Sequence, residues 1–416
     1  MLILSLGIAA VVIVIALWRP PLGAAAIILL WPTYLIRTSI AGVPTTALEL
    51  ALYGALAALI LRLGFRQTIW HWIRLPRDTW WLLGFWGLAW ITATIFAVDH
   101  QAALGALKAW WLDPLLFMGL LIIAVRTKTE RHTIINAAIL SGVIVALAGL
   151  VQLVGFRQTL QEGRLSSFFT PVANYAAMYL GPLLVMTVSL LLHGRRTAWR
   201  WLASVIMTLA IGLTLSFGAY LAVAVGIFFS WIFLPSGMLK RRLAVIGTVI
   251  VIVAVVGLSQ TKNFGQHFNF SDRSSGSARQ QVWVTSWALI RQDPWFGVGP
   301  NNFEVAYRTE LPKHYFPPLE WLVAQPHNLY LALWLETGLL GLLVFGWLVW
   351  HHFRLGLRQF LHEPEHRNIA FASLSAIVVL LVHGLVDTTY FKNDLAMELA
   401  LLVALPWLGE VLLAKK

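Results

Sequence analysis

A single histidine stands where a long polar stretch of the chain meets an apolar run. Pro326-His327-Asn328 directly precedes apolar residues that continue to about position 350. A histidine on the first turn of a membrane helix faces water and can take a proton near neutral pH as a general base. The alternative is an interfacial histidine that caps the helix. His327 is therefore the first candidate for a catalytic residue.

Two arginines could bind phosphate. Arg279 lies upstream of His327 in the same polar stretch, and Arg164 lies in the short polar segment 163–168 after another apolar run. A guanidinium is permanently charged and pairs bidentately with phosphate oxygens. The alternatives are anchoring to lipid headgroups and salt bridges within the loop. The two positions are candidates for binding a lipid-linked diphosphate.

Other ionisable residues fall within or next to apolar runs, where such groups are often functional. Lys108 and Asp113 lie in one run, and Glu336 follows His327 by nine positions. His383 and Asp387 are spaced four apart, which puts them on one helix face. The alternative is an internal pair that only fixes helix packing. We expect Lys108, Glu336, His383 and Asp387 to support the candidate site.

The sequence does not favour a metal or nucleotide site. It contains no GxxxxGK[ST] phosphate loop and no HExxH pair. His351-His352 and the pair His362 and His366 fall near basic residues without a matching acidic set. We expect these histidines to be solvated on a cytoplasmic loop, and we expect no cofactor.

The elements that must position these residues are apolar helices. Hydrophobic residues make up 59% of the 416 positions and charged residues 12%, whereas soluble domains carry about 25% charged residues. Runs long enough to approach a membrane span, which takes about 20 residues, occur thirteen times, at 2–18, 22–36, 47–61, 79–97, 104–125, 134–154, 172–192, 201–217, 219–234, 243–259, 328–350, 368–387 and 394–412. The sequence predicts an all-α polytopic membrane protein of 12–13 transmembrane helices.

The net charge of +12 reflects topology rather than nucleic-acid binding. With the N-terminus outside, every cytoplasmic turn carries lysine or arginine, as the positive-inside rule requires. The same register places residues 260–326 outside as one long loop. It predicts three parts, which are helices 1–10 over 1–259, the loop over 260–326, and helices 11–13 over 327–416.

The long loop has structure of its own. Residues 278–292 place Trp283, Trp287 and Ile290 at helical spacing among polar residues. This pattern predicts a short amphipathic helix on the membrane surface. Pro294, Gly297 and neighbouring glycines end it, and 301–310 could form a second short helix.

The order of these elements resembles a known family. The run PHNLY at 326–330 followed by WLETGLLG at 334–341 is similar to the signature of the O-antigen ligase and polymerase superfamily. The long loop of this chain also resembles that of the family, through Arg279, Trp283 and Trp287 followed by DPWFGVGPNNF at 293–303. Arg164 followed by Pro171 and Asn174 resembles the family's arginine loop. Together the first two stretches cover about 65 residues of the chain.

The resemblance implies a membrane glycosyltransferase of the GT-C-like helical type. The donor would be a glycan on undecaprenyl diphosphate, and the acceptor a hydroxyl of the lipid A core for a ligase or of another repeat unit for a polymerase. It implies a metal-independent reaction in the inner membrane, with the site facing the periplasm. It also implies about twelve spans, one fewer than the apolar runs.

Polymerases of this family more often carry two substantial outer loops. This sequence has one short outer loop near 155–171 and one long loop at 260–326, which favours the ligase. A rival of another class is a transporter for lipid-linked glycans, which would use the same arginines. Transporters often show inverted repeats and midplane charges. The sequence shows no repeat and few such charges.

Overall fold

The protein is a bundle of α-helices with one small hairpin. The computed structural model describes residues 1–64, 77–155, 163–169, 172–194, 196–233 and 275–413. The helices within these ranges are α1 Leu2–Trp18, α2 Pro20–Leu29, α3 Ala47–Leu63, α4 Arg77–Ile95, α5 His100–Ala106, α6 Asp113–Ala124, α7 Lys128–Gly155, α8 Ala173–His193, α9 Ala198–Leu213, α10 Phe217–Ile232, α11 Ser275–Gln292, α12 Phe303–Glu310, α13 Leu329–His362, α14 Arg367–His383 and α15 Asn393–Leu413. The all-α polytopic class is confirmed.

Four helical stretches of the described chain are long and apolar enough to cross a membrane. They are His100–Ala124, Lys128–Gly155, Ala173–His193 and Leu329–His362. The first contains a π-helical turn at Leu107–Leu112, directly before α6. Most other predicted runs also coincide with apolar helices of somewhat different length. The predicted run 243–259 lies outside the described residues.

The predicted span 22–36 is wrong in its second half. Helix α2 ends at Leu29, and a 3₁₀ turn at Trp31–Leu35 follows. The chain then forms a hairpin of β1 Arg37–Ile40 and β2 Val43–Thr46, with Ile40 opposite Val43. The two linking residues, Ala41 and Gly42, both have positive φ, as a two-residue type I′ hairpin requires.

Several helix ends meet at one end of the bundle. The N-termini of α8, α13 and α15 lie there with the C-termini of α9 and α14. The backbone amide of Leu329 donates to the Gly384 carbonyl at 2.7 Å, and that of Leu165 donates to Leu213 at 2.9 Å. We call this end, with residues 163–169, 172–174, 213–216, 326–329 and 383–393, the site end.

The helices α11 and α12 form a second small core against α13. Val282 and Ile290 of α11 are buried with Phe303 and Tyr307 of α12 and Leu335 of α13. The existence of both short helices is confirmed. Part of the apolar surface of α11 packs on α12 and α13, while Trp287 of the same helix is 43% exposed. The position of α11 on the membrane surface stays a prediction.

A break in α13 receives the segment between α11 and α12. Gly338 adopts φ 68° and ψ −179°, so the helix-type hydrogen bonding is interrupted there. The freed Leu335 carbonyl accepts from the Val298 amide at 2.8 Å, and the Leu339 amide donates to the Trp295 carbonyl at 3.2 Å. A side chain at Gly338 would overlap the Trp295 carbonyl. Two of the segments that carry the family resemblance, 293–303 and 334–341, are therefore interlocked.

The prediction of solvated histidines is wrong for three of the four. Helix α13 continues to His362, so His351 and His352 lie inside it and are 7% and 1% exposed. His351 Nε2 lies 3.1 Å from Asp78. His366 is also buried, at 1%. Among the described residues, no group of three or more His, Cys, Asp or Glu could hold a metal ion.

Candidate functional site

The candidate base His327 is paired with a buried carboxylate. Its Nδ1 lies 3.3 Å from Oδ1 of Asp387, in the turn after α14. The Asp387 side chain is 5% exposed, while that of His327 keeps 37% of its surface accessible. The pair thus has one buried partner and one partner that a substrate can reach.

Asp387 is held by further hydrogen bonds. Its Oδ2 accepts from the Asn174 side-chain amide at 2.8 Å, and the Thr388 amide lies 3.1 Å from Oδ1. Asn174 in turn accepts from Arg164 Nη2 at 2.7 Å, and Arg164 Nε donates to the Thr214 carbonyl at 2.9 Å. A continuous chain of polar contacts therefore links Arg164 to His327.

The electrostatics favour an ionised Asp387. Burial raises the pKa of the Asp387 carboxyl, but hydrogen bonding and charge from His327, with the charges of His383 and Arg279, hold that pKa below its ordinary value. An ionised carboxylate only accepts hydrogen bonds. We infer that Nδ1 of His327 carries the proton toward Asp387, which leaves Nε2 able to accept one.

The backbone around His327 is fixed on both sides. Asn328 caps α13, because its Oδ1 accepts from the amides of Tyr330 and Leu331 at 2.9 and 3.0 Å. Its side-chain amide donates to the Leu385 carbonyl at 2.9 Å. His327 itself has φ 49°, a left-handed conformation that costs a non-glycine residue about 1–3 kcal/mol. The surrounding contacts hold it there.

Arg279 lies close enough to this pair to act on it. Its charge contributes to the electrostatics of both Asp387 and His383. One turn further along α11, the Trp283 indole donates to the Pro326 carbonyl at 3.1 Å, directly before His327. None of the described residues forms a hydrogen bond or ion pair with the Arg279 guanidinium. Arg279 therefore has donors to offer a ligand.

The structure places the other predicted residues differently. Glu336 is fully buried and accepts from the Asn301 amide and from the Gln325 side chain, the latter at 3.1 Å. It thus supports the segment that leads to His327. His383 is 2% exposed and packs against Gly218.

Lys108 belongs to a separate network. It pairs with Glu49 at 2.6 Å and donates to the Pro44 carbonyl at 2.9 Å, so it fastens the hairpin to α3. Asp113 accepts from the Tyr53 hydroxyl at 2.6 Å in the same region. None of these contacts reaches His327.

Two partners of the site were not predicted from the sequence as such. Asn174 appeared only as part of a resemblance, and Asp387 was grouped with His383 because of their spacing. In the structure, no side-chain hydrogen bond joins His383 to Asp387 within the described residues, and Asp387 turns to His327 instead. A polar residue such as Asn174 at the first turn of an otherwise apolar helix is the signal that could have marked it.

The fold and these contacts define a class of protein, a helical membrane protein with a histidine, a carboxylate and two arginines gathered at one end. Residues 202–346 match the family model described as O-antigen ligase. Over that range the chain is similar to the O-antigen ligase family, and the resemblance seen in the sequence is confirmed. This family indicates membrane glycosyl transfer in O-antigen assembly, of ligase or polymerase type. The search of curated proteins found no match.

Proposed function

We propose that the protein is an O-antigen ligase that moves a glycan from undecaprenyl diphosphate to a hydroxyl of the lipid A core. The observation that carries the proposal is the contact of His327 with buried Asp387, close to Arg279, whose guanidinium has no partner within the described residues. A base beside a phosphate-binding cation is what direct transfer from a lipid diphosphate needs. The O-antigen ligase family match supports the same chemistry.

In the proposed reaction, the acceptor oxygen attacks the anomeric carbon of the first donor sugar. The carbon–oxygen bond to the diphosphate breaks as the new glycosidic bond forms, so the configuration inverts. Nε2 of His327 takes the hydroxyl proton, and Asp387 stabilises the imidazolium that results. General base catalysis of this kind typically contributes about 10²–10⁴-fold in rate.

The leaving diphosphate needs positive charge. Arg279 is the first choice because its guanidinium has no partner among the described residues. Arg164 is the second choice, since its Nε already donates to the Thr214 carbonyl and its Nη2 to the Asn174 side chain. Fixed cations of this kind stabilise the charge that develops on the leaving group. Because the arginines supply it, we expect transfer to continue in EDTA.

We place the site on the periplasmic face of the inner membrane. The helix directions support this, because His327, Asp387, Arg164 and Arg279 all lie at the site end, opposite the basic turns such as 126–131. Lysine- and arginine-rich turns face the cytoplasm.

An O-antigen polymerase would use the same chemistry with another repeat unit as acceptor. Cells lacking the protein separate the two. If it is a ligase, long glycans should accumulate on the lipid carrier. If single repeats appear on finished lipopolysaccharide instead, the ligase assignment is wrong.

The decisive experiment is glycan transfer by the purified protein in detergent. A transporter needs two compartments and would transfer nothing there. We expect His327→Ala to abolish transfer, while His314→Ala, in the same loop region but bound to Glu310 at 3.0 Å, retains it. Both variants should match the wild type in thermal unfolding. An active, folded His327→Ala protein would remove the base assignment.

A further inference from the structure

Lys392 occupies an aromatic box at the site end. It lies directly before α15, and its Nζ is 3.3 Å from the ring centroid of Tyr175, 5.2 Å from that of Phe169 and 5.4 Å from that of Tyr34. Cation–π contacts such as these stabilise an ammonium group by about 0.5–2 kcal/mol. They do not occupy its three hydrogen-bond donors.

No anion of the described residues neutralises this lysine by direct contact. Within the described residues Lys392 forms no ion pair and no side-chain hydrogen bond. Asp394 is the nearest acidic residue in sequence, and its Oδ1 accepts from the Leu395 amide at 3.0 Å. The charge of Asp394 acts on Lys392 only from a distance.

A second basic residue and an unused hydroxyl belong to the same place. The charge of Arg37, at the start of β1, acts on both Lys392 and Tyr34. Tyr34 is 5% exposed, and its buried hydroxyl has no hydrogen-bond partner in the part of the chain that the structure describes. A buried hydroxyl without a partner costs about 1–3 kcal/mol, so a ligand oxygen there would remove that cost.

The box adjoins the proposed catalytic pair. Tyr175 directly follows Asn174, whose amide donates to Asp387 at 2.8 Å. Asp387 and Asp394 both act electrostatically on Tyr175. A group bound at Lys392 would therefore belong to a substrate that also reaches His327.

We propose that Lys392, Arg37 and the Tyr34 hydroxyl form a second phosphate-binding subsite, distinct from Arg164 and Arg279. The ligand is a phosphate group of one of the two substrates, bound by a lysine point charge on an aromatic wall. The inference rests on the proposed transferase function. The phosphate could come from the acceptor or from the donor diphosphate, and the test below separates these sources.

The test combines binding with steady-state transfer in detergent. Lys392→Met should weaken binding of inorganic pyrophosphate, measured by calorimetry, about tenfold or more, because hydrogen bonds to charged groups are strong. Lys392→Arg should retain most of it. Lys313→Met is the control, since Lys313 is an exposed loop lysine paired with Glu310.

The transfer arm identifies the source. A rise in KM for a phosphorylated acceptor, but not for the same acceptor after phosphatase treatment, assigns the subsite to the acceptor. A rise in KM for the donor alone assigns it to the donor. Both results support the subsite, and unchanged binding and unchanged KM values in folded Lys392→Met overturn it.

Two further measurements keep the outcome clear. If Lys392→Met does not fold, Tyr34→Phe tests the same subsite by removing only the unpartnered hydroxyl, and pyrophosphate binding equal to the wild type then overturns the proposal. If the wild type binds pyrophosphate in a Lys392-dependent way but transfers no glycan, the proposed function fails while the subsite stands.

Discussion

Replacing Asp387 by asparagine tests whether its charge serves His327. Asparagine has the same shape as aspartate and its amide oxygen can still accept from Nδ1 of His327. The change therefore removes a charge while it keeps one hydrogen bond. In the proposed reaction the imidazole gains a proton, and in the variant the positive ring lacks the carboxylate charge 3.3 Å away.

The size of the effect follows from that distance. Two unit charges 3.3 Å apart attract by about 5 kcal/mol at an effective dielectric constant of about 20. The His327 side chain is 37% exposed, so solvent screens part of this attraction. About 2 kcal/mol remains after that discount, which corresponds to about thirty-fold in kcat.

The same substitution also affects folding. Both carboxylate oxygens of Asp387 accept hydrogen bonds, one from Asn174 and one from His327. The introduced amide must point its NH₂ at one of these donors, which costs about 1–3 kcal/mol. The double variant Asp387→Asn with Asn174→Asp restores donor and acceptor matching at that contact. We expect it to recover stability without recovering kcat.

The assay is transfer of labelled glycan in detergent, with thermal unfolding measured in parallel. Asp99→Asn is the matched control, because Asp99 caps a short exposed helix through Ala102 and asparagine caps equally well. A folded Asp387→Asn protein with wild-type kcat would refute the electrostatic role of Asp387. Recovery of kcat in the double variant would mean that only hydrogen-bond matching matters.

Three other predictions follow from the same contacts. Arg279→Lys should lose at least tenfold in kcat with a normal thermal midpoint, because lysine cannot bind phosphate bidentately; wild-type turnover would make Arg279 a simple anchor. Gly338→Ala should lower the free energy of unfolding by about 1–3 kcal/mol from its φ of 68° alone, and by more from overlap with the Trp295 carbonyl. The control Gly346→Ala has open space in the same helix and should leave the free energy of unfolding unchanged or raise it by up to about 1 kcal/mol. Burial lowers the pKa of Lys392 to about 8, so its charge is lost as the pH rises through 8. KM for the phosphate-bearing substrate should then rise between about pH 7 and 9 in the wild type but not in Lys392→Arg; equal rises would contradict this.

The helices were largely predictable because lipid leaves few alternatives. A membrane span must form all its backbone hydrogen bonds within its own helix and be apolar over about 20 residues. Both conditions can be recognised in the sequence. The predicted helix boundaries are wrong where the apolar composition continues beyond the end of a helix. After Leu29 the chain stays apolar, yet it turns into the hairpin 37–46 whose four-residue strands are too short to show alternation.

The chemistry was predictable only in part. His327 and Arg279 stood out through position and residue type. Asp387, the partner of His327, was visible only as the residue four after His383, because sequence spacing reports neighbours on one helix. The contact between Asp387 and His327 joins positions 60 residues apart. Nothing in a single sequence specifies which of two nearby histidines a carboxylate will face.

Two of the segments in the family resemblance are structural, and this separates two kinds of loss of function. Segment 326–330 carries His327, whereas segments 293–303 and 334–341 lock the loop into the break at Gly338. Their link to the chemistry runs through Glu336, which holds Gln325, two residues before His327. Gly338→Ala should therefore act first on unfolding, and activity should fall only as the segment loosens. Asp387→Asn should instead lower kcat in protein that remains folded, so the two measurements distinguish the framework from the site.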